Sequence, residues 1–226
     1  MVGIFDAAAL RRTLSERPLL PQDFYDRDAL IVARELLGAL VIHDGVVLRI
    51  TEVEAYRHPD DSANHCRMGR TARNAPMWGP PGHAYVYVCY GLHAMLNVVT
   101  GAEGEGAAVL IRSAEPISGH ERVRARRAVA TDDPTTLLAG PGKVGQALGL
   151  GPAFSGHPLY RPGGLEVRAG QPPREILVGP RVGVDYARPH DRDAPYRLAD
   201  GASRVVSHPR TLAPLRRFFR PAGDDR

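Results

Sequence analysis

The sequence predicts a single-domain α/β fold, α+β in the order of its segments, in which a mainly antiparallel sheet carries helices at its periphery. Three observations predict it. The chain has 226 residues and 43% hydrophobic content, enough for one sizeable core and not for two. Strand signals dominate the stretch between residues 39 and 117, and helix signals bracket that stretch on both sides. The domain is expected to span 1–226, with 1–20 and 220–226 loosely ordered.

In chain order, Asp26 precedes the apolar-periodic run RDALIVARELLG, which reads as a helix with Gly38 at its C-terminal cap. VVLRITEVEAY alternates with period two. It is expected to place Ile50, Glu52, Glu54 and Tyr56 on one strand face and Arg49, Thr51 and Val53 on the other. In HAYVYVCYGLHAMLNVV, two β-rich runs flank Tyr90-Gly91-Leu92-His93, predicting a hairpin with Tyr85 and Tyr87 on one face and Tyr90 projecting from the turn. A capping box from Ser118 to Glu121 opens a helix that runs to about Arg127. Pro141 and Gly142 lead into a short helix, KVGQALGL, and the segment from His157 to Tyr186 reads as short strands with turns.

Composition narrows the function classes. No run of eighteen apolar residues and no apolar signal core at the N-terminus are present, so a cytoplasmic, nucleoid-associated protein is expected, without a membrane. Cys66 and Cys89 form no C-x-x-C pair, which argues against a disulfide framework, a four-cysteine zinc site or an iron–sulfur cluster. His65 beside Cys66, with His58, His83 and His93 elsewhere, has no zinc-ligand spacing, and the H-x-E…P-C-x-x-C signature of zinc deaminases is missing. GPGKV departs from a triphosphate-binding loop at Leu137 and Val144, leaving a turn and helix start whose Lys143 could meet a nucleic-acid phosphate. The net charge of +4 and pI near 9.3 are compatible with a polyanionic partner. Arg122, Arg124, Arg126 and Arg127 read by default as a solvated basic face; Arg70 and Arg73, nearer the aromatic motifs, are better candidates for backbone phosphates.

The chemistry concentrates between Thr51 and Asn97. A carboxylate sharing a face with aromatic rings suits a flat, electron-poor ring with a base beside it, and a nucleobase meets that description. An exposed tyrosine on a hairpin tip, with arginines near, suits a wedge that enters a duplex and fills the gap left by an everted base.

On TEVEAY, on His65 eleven residues beyond Glu54, on RTARN followed by MWGPPG, on YVYVCYG with Asn97 and on VLIRSAEP around Arg112, the chain resembles the alkyladenine (3-methyladenine) DNA glycosylase family of the non-helix-hairpin-helix type. Weaker similarity spans about Phe24 to Ser207. The resemblance implies a curved sheet of the formyltransferase C-terminal-like fold and a monomeric enzyme that needs no metal or organic cofactor. It also implies a monofunctional activity: damaged alkylated or deaminated purines are flipped out of double-stranded DNA and excised hydrolytically, leaving an abasic site. By the same resemblance Glu54 would be the general base, with Arg112 holding the water and the carboxylate. Tyr56, His65 and Tyr87 would sandwich the flipped base, Asn97 would discriminate at the pocket floor, and Tyr90 would intercalate. Glu52 is the competing carboxylate, expected to be a structural partner.

Two other readings stay open at this level. A non-catalytic module recognising damaged or unpaired bases would have no need for an acid within an aromatic cage, and a free-nucleoside hydrolase would have no need for Tyr90. The chain departs from the family pattern in TGAEGEGAAV, which is expected to bring Glu103 and Glu105 near a DNA-facing surface, in His93-Ala94-Met95, and in RLADGASRVVS.

Overall fold

The computed structural model describes residues 16–215. The calls for loose order over 1–15 and 220–226 lie outside these residues; 18–20, by contrast, are tied to the sheet, with the Leu20 amide donating to the Val167 carbonyl at 3.0 Å and that of Ala169 to Pro18 at 2.8 Å.

Nine strands form one sheet among the described residues, and every ladder is antiparallel. In chain order they are β1 (Leu40–His43), β2 (Val46–Tyr56), β3 (Ala84–Cys89), β4 (His93–Thr100), β5 (Ala107–Ser118), β6 (Glu166–Arg168), β7 (Ile176–Gly179), β8 (Arg197–Asp200) and β9 (Ala213–Pro214). The main path runs β3-β4-β5-β2-β8-β7-β9, with β1 bridging β2 and β6. Helices α1 (Gln22–Tyr25), α2 (Ala29–Leu36), α3 (His120–Arg127), α4 (Pro134–Leu138), α5 (Pro141–Leu148) and α6 (Pro189–Arg192) lie outside the sheet. This is the mainly antiparallel α/β domain that the sequence predicts.

The core lies on one face of the long strands. Val46, Leu48 and Ile50 of β2 are buried there, and so are Val53 and Ala55. Strict alternation cannot put both Ile50 and Val53, three residues apart, on one face. A bulge supplies the extra residue, for the β2–β5 register shifts between Ile50 and Val53. Ile50 therefore faces the core, and the expectation that it shares a face with Glu52, Glu54 and Tyr56 is corrected. The bulge turns those three polar residues onto the opposite face together.

Two helix starts also differ from expectation. The cap of α2 is Asp28, whose side chain accepts the Leu30 amide, and not Asp26. Ser118 ends β5, and α3 starts after Gly119 at φ 81° with no side-chain cap, so the capping box does not form. Gly119 is required because a Cβ there would press on the backbone of Gly45 and Val46.

Candidate functional site

The ladders align one transverse row of side chains on the polar face of the sheet. Tyr85 of β3 stands opposite Asn97 of β4, Asn97 opposite Leu110 of β5, Leu110 opposite Glu54 of β2, and Glu54 opposite Arg197 of β8. Directly opposed residues share a face. Arg112 follows Leu110 by two residues along β5, so it rises on the same face beside Glu54.

Glu54 is fully buried. Its Oε1 accepts the Val182 amide at 2.8 Å and faces Arg112 Nη1 at 3.1 Å, while its Oε2 accepts the Tyr56 hydroxyl at 2.8 Å. A carboxylate offers about four lone-pair sites. Three are taken by these contacts. Burial and then the Glu54 charge raise the Tyr56 phenol well above its usual range, so it stays a donor. For Arg112, burial acts downward but Glu54 and Glu52 outweigh it, and the net shift is upward: the guanidinium stays charged.

Glu52 is a structural partner, as expected. It is fully buried and paired with the equally buried Arg197 at 2.8 Å, and it also accepts the Ser113 hydroxyl at 2.5 Å and the Ser207 amide at 2.7 Å. Removing one member of such a buried pair is costly because the other charge is stranded.

Above this layer opens a cleft of ≈ 520 Å³ lined by Tyr56, His65, Tyr87, Asn97 and Arg112, with Tyr90 and Arg73 at its border and Tyr85, Met95 and Tyr186 in its walls. The His65 ring meets Tyr87 at 4.7 Å between centroids with the planes 71° apart, and its Nδ1 pairs with the Tyr85 hydroxyl at 3.2 Å. Burial first, then Arg73 and Arg67, lower the His65 pKa, which keeps the imidazole neutral near pH 7. The Asn97 amide nitrogen donates to the carbonyls of Tyr85 at 3.1 Å and Met95 at 3.2 Å. Both partners are acceptors, so the orientation of the amide is fixed and its carbonyl oxygen is the end left for the cleft.

Tyr90 is 91% exposed and Leu92 80% exposed at the hairpin tip. Tyr90 at φ 50° and Gly91 at φ 70° both have the positive φ that a tight hairpin turn of the I′ kind requires, and the Leu92 amide closes it on the Cys89 carbonyl at 3.1 Å. A tyrosine in that conformation is uncommon. It holds the ring clear of the sheet. The base of the hairpin is seated on α5, where a Cβ on Gly145 would overlap the Ala94 carbonyl and one on Gly142 would press on His93.

The basic residues divide. Arg73 borders the cleft with its guanidinium 5.8 Å from the Tyr87 ring centre, and Arg70 is exposed with no ion-pair partner among the described residues. Lys143 donates to the Thr135 carbonyl at 3.4 Å, and its pKa is lowered by burial and by Arg127; it does not line the cleft. Of the α3 arginines, Arg122 and Arg126 pair with Asp44, Arg124 with Asp132, and Arg127 donates to Gln146 and the Leu137 carbonyl. Glu103 and Glu105 follow Thr100, at the opposite end of β4 from the Tyr90 turn.

Sequence reasoning did not single out Val182, Tyr186, Arg181, Arg197 or Ser207. Arg181 is buried in a two-bonded pair with Asp61 (2.5 and 2.8 Å), and its guanidinium lies 4.8 Å from the Tyr56 ring centre. It fixes both that ring and the adjoining Val182 amide. The one available signal was the run RVGVDY, whose turn residues the alternation had assigned to strands.

Comparison with known proteins agrees with this geometry. The family model for methylpurine-DNA glycosylase matches residues 23–203. The chain is 60% identical over 181 residues to a protein of Nitrosococcus oceani provisionally named as a 3-methyladenine DNA glycosylase, covering 80% of this chain and 89% of that one. It is 57% identical over 203 residues to the DNA-3-methyladenine glycosylase of Arabidopsis thaliana, covering 89% of this chain and 79% of the plant protein. With a base-sized aromatic cleft set over a buried carboxylate and a match across most of its length, the chain belongs to the methylpurine-DNA glycosylase family.

Proposed function

We propose that Glu54 is the general base of a monofunctional glycosylase that flips a damaged purine out of duplex DNA and hydrolyses its N-glycosidic bond. The activity class follows from family membership: the chain is a hydrolase of N-glycosidic bonds that excises alkylated purines. The observation that carries the assignment within the site is a fully buried Glu54 carboxylate, held by the Val182 amide, Arg112 and Tyr56, directly beneath an aromatic cleft that all three of these residues line.

Cleavage of the bond leaves a cation-like sugar, and a buried anion both deprotonates water and stabilises that charge. Arg112, 3.1 Å from Glu54, aims the carboxylate. A purine alkylated on its ring leaves as a neutral base, so no protonated acid is required for it. Tyr56, His65 and Tyr87 supply faces for the extruded base. Asn97 lies two strands from Glu54, roughly 10 Å away, and offers it an acceptor. Deaminated purines belong to the same proposal on the ground of pocket shape alone. Tyr90 is assigned to the vacated stack, and Arg70, Arg73 and Lys143 to backbone phosphates.

Incubation with methylated duplex DNA is expected to release free methylpurine and leave an unbroken strand carrying an alkali-labile abasic site. Borohydride is expected to trap no protein–DNA adduct, because Lys143, the single lysine, lies away from the cleft. An adduct that disappears in Lys143→Ala would contradict the monofunctional assignment.

A further inference from the structure

The polar layer beneath Glu54 contains a residue with no role assigned so far, Ser207, which lies just beyond the family-model match that ends at residue 203. The Ser207 hydroxyl accepts two N–H groups of Arg112, from Nε at 3.2 Å and Nη2 at 3.0 Å, and donates its own hydrogen bond to Glu52 Oε1 at 3.0 Å. Its backbone is clamped separately: the amide donates to Glu52 Oε2 at 2.7 Å, and the carbonyl accepts from Arg197 at 2.9 Å. The preceding turn is held by the Thr51 hydroxyl on the Val205 carbonyl at 2.6 Å.

Two carboxylates compete for Arg112. Glu54 Oε1 lies 3.1 Å from its Nη1 and Glu52 Oε1 3.5 Å from its Nε. Both acids are fully buried, so neither is screened by solvent, and small displacements of the guanidinium decide which one it serves. Arg197 satisfies Glu52 from the far side. The Ser207 hydroxyl stands between Glu52 and Arg112, giving Nε and Nη2 an acceptor that is not Glu52.

We infer that Ser207 is a positioning residue for base excision: its hydroxyl, backed by the Glu52–Arg197 pair, holds Arg112 off Glu52 and directed at Glu54. This rests on the assignment of Glu54 as the base. With the hydroxyl gone, the closest anionic acceptor for Nε is Glu52, and the guanidinium swings toward it and away from Glu54. The base then loses the cation that aims it, while the other walls of the cleft, among them Tyr56, Tyr87, Asn97 and the turn at Val182, keep their places.

The test compares Ser207→Ala, Ser207→Thr and Glu54→Gln with the parent in single-turnover excision from a methylated duplex, alongside lesion-DNA affinity and thermal midpoint. Ser207→Ala is expected to slow base release roughly ten- to a hundredfold, the scale of a misplaced catalytic group, with affinity and midpoint unchanged. Ser207→Thr, which keeps the hydroxyl, restores the rate. A Ser207→Ala rate equal to the parent's overturns the inference, and so does an Ala defect that Thr fails to rescue or that follows a fall in the midpoint. Glu54→Gln separates the two levels. If it is as fast as the parent, the base assignment and the positioning role fall together; if it is inactive while Ser207→Ala runs at full rate, only the positioning role falls.

Discussion

At the residue scale, the site works by fixing protonation states through burial and partners. Tyr56 is kept a donor and Arg112 a cation, while His65 is kept neutral by burial, Arg73 and Arg67. The last has a consequence for stability. A histidine whose folded pKa is depressed takes up a proton more readily when unfolded, so the unfolded state gains as pH falls through the ordinary imidazole value of about 6.5. His65 therefore contributes a loss of stability on acidification. The fall in thermal midpoint between about pH 7.5 and about pH 5.5 is expected to be smaller in His65→Gln than in the parent; an equal fall in both proteins would remove His65 as a source. Glu54, Tyr56, Asn97 and Arg112 were legible in the sequence because short motifs on regular strands carry them. Ser207, Arg197 and Val182 were not, because they reach the same carboxylates from turns and from the short interior strand β8, more than a hundred residues along the chain, where no periodicity announces a partner.

At the element scale, the bulge in β2 and the hairpin β3–β4 do the positioning. The alternation of VVLRITEVEAY was read correctly as a strand, with Glu52, Glu54 and Tyr56 on one face, but a bulge leaves no mark in a period-two pattern, and Ile50 was set on the wrong side for that reason. The hairpin was legible in its two β-rich runs; its seating on α5 was not, since close backbone approach at Gly145 depends on tertiary packing. Gly145→Ala is expected to push α5 off β4 and cost about 1–3 kcal/mol, the scale of overpacking, read as a shift in the denaturant midpoint; an unchanged midpoint would mean that the helix yields without strain. The exposed tip makes a separate prediction. A ring that occupies the vacated stack offsets the cost of eversion, so Tyr90→Ala is expected to slow excision roughly ten- to hundredfold for a lesion in a stable pair, and less in single-stranded or mismatched DNA, where extrusion costs less. Equal losses on paired and unpaired substrates would assign Tyr90 to the cleft itself.

At the scale of the whole molecule, one antiparallel sheet divides the labour between its faces. One face packs the apolar core, and the other carries a row from Tyr85 to Arg197 that brings ring, amide, carboxylate and cation into line across five strands. The basic balance and the family were legible from composition and motif, but the α3 arginines are engaged with Asp44, Asp132 and Gln146, so the helix that looked most basic is largely neutralised locally. Among the described residues, no helix is long and apolar enough to cross a membrane. The central claim is that the buried Glu54 is the base. Glu54→Gln preserves the shape of the side chain and an acceptor for the Val182 amide and Arg112, and Glu52, 3.5 Å from Arg112, limits the stranding of its charge. Single-turnover excision from methylated duplex DNA, measured together with lesion affinity, is the most direct test: the account predicts retained binding with base release slowed by at least about a hundredfold, and near-normal release by Glu54→Gln would contradict it.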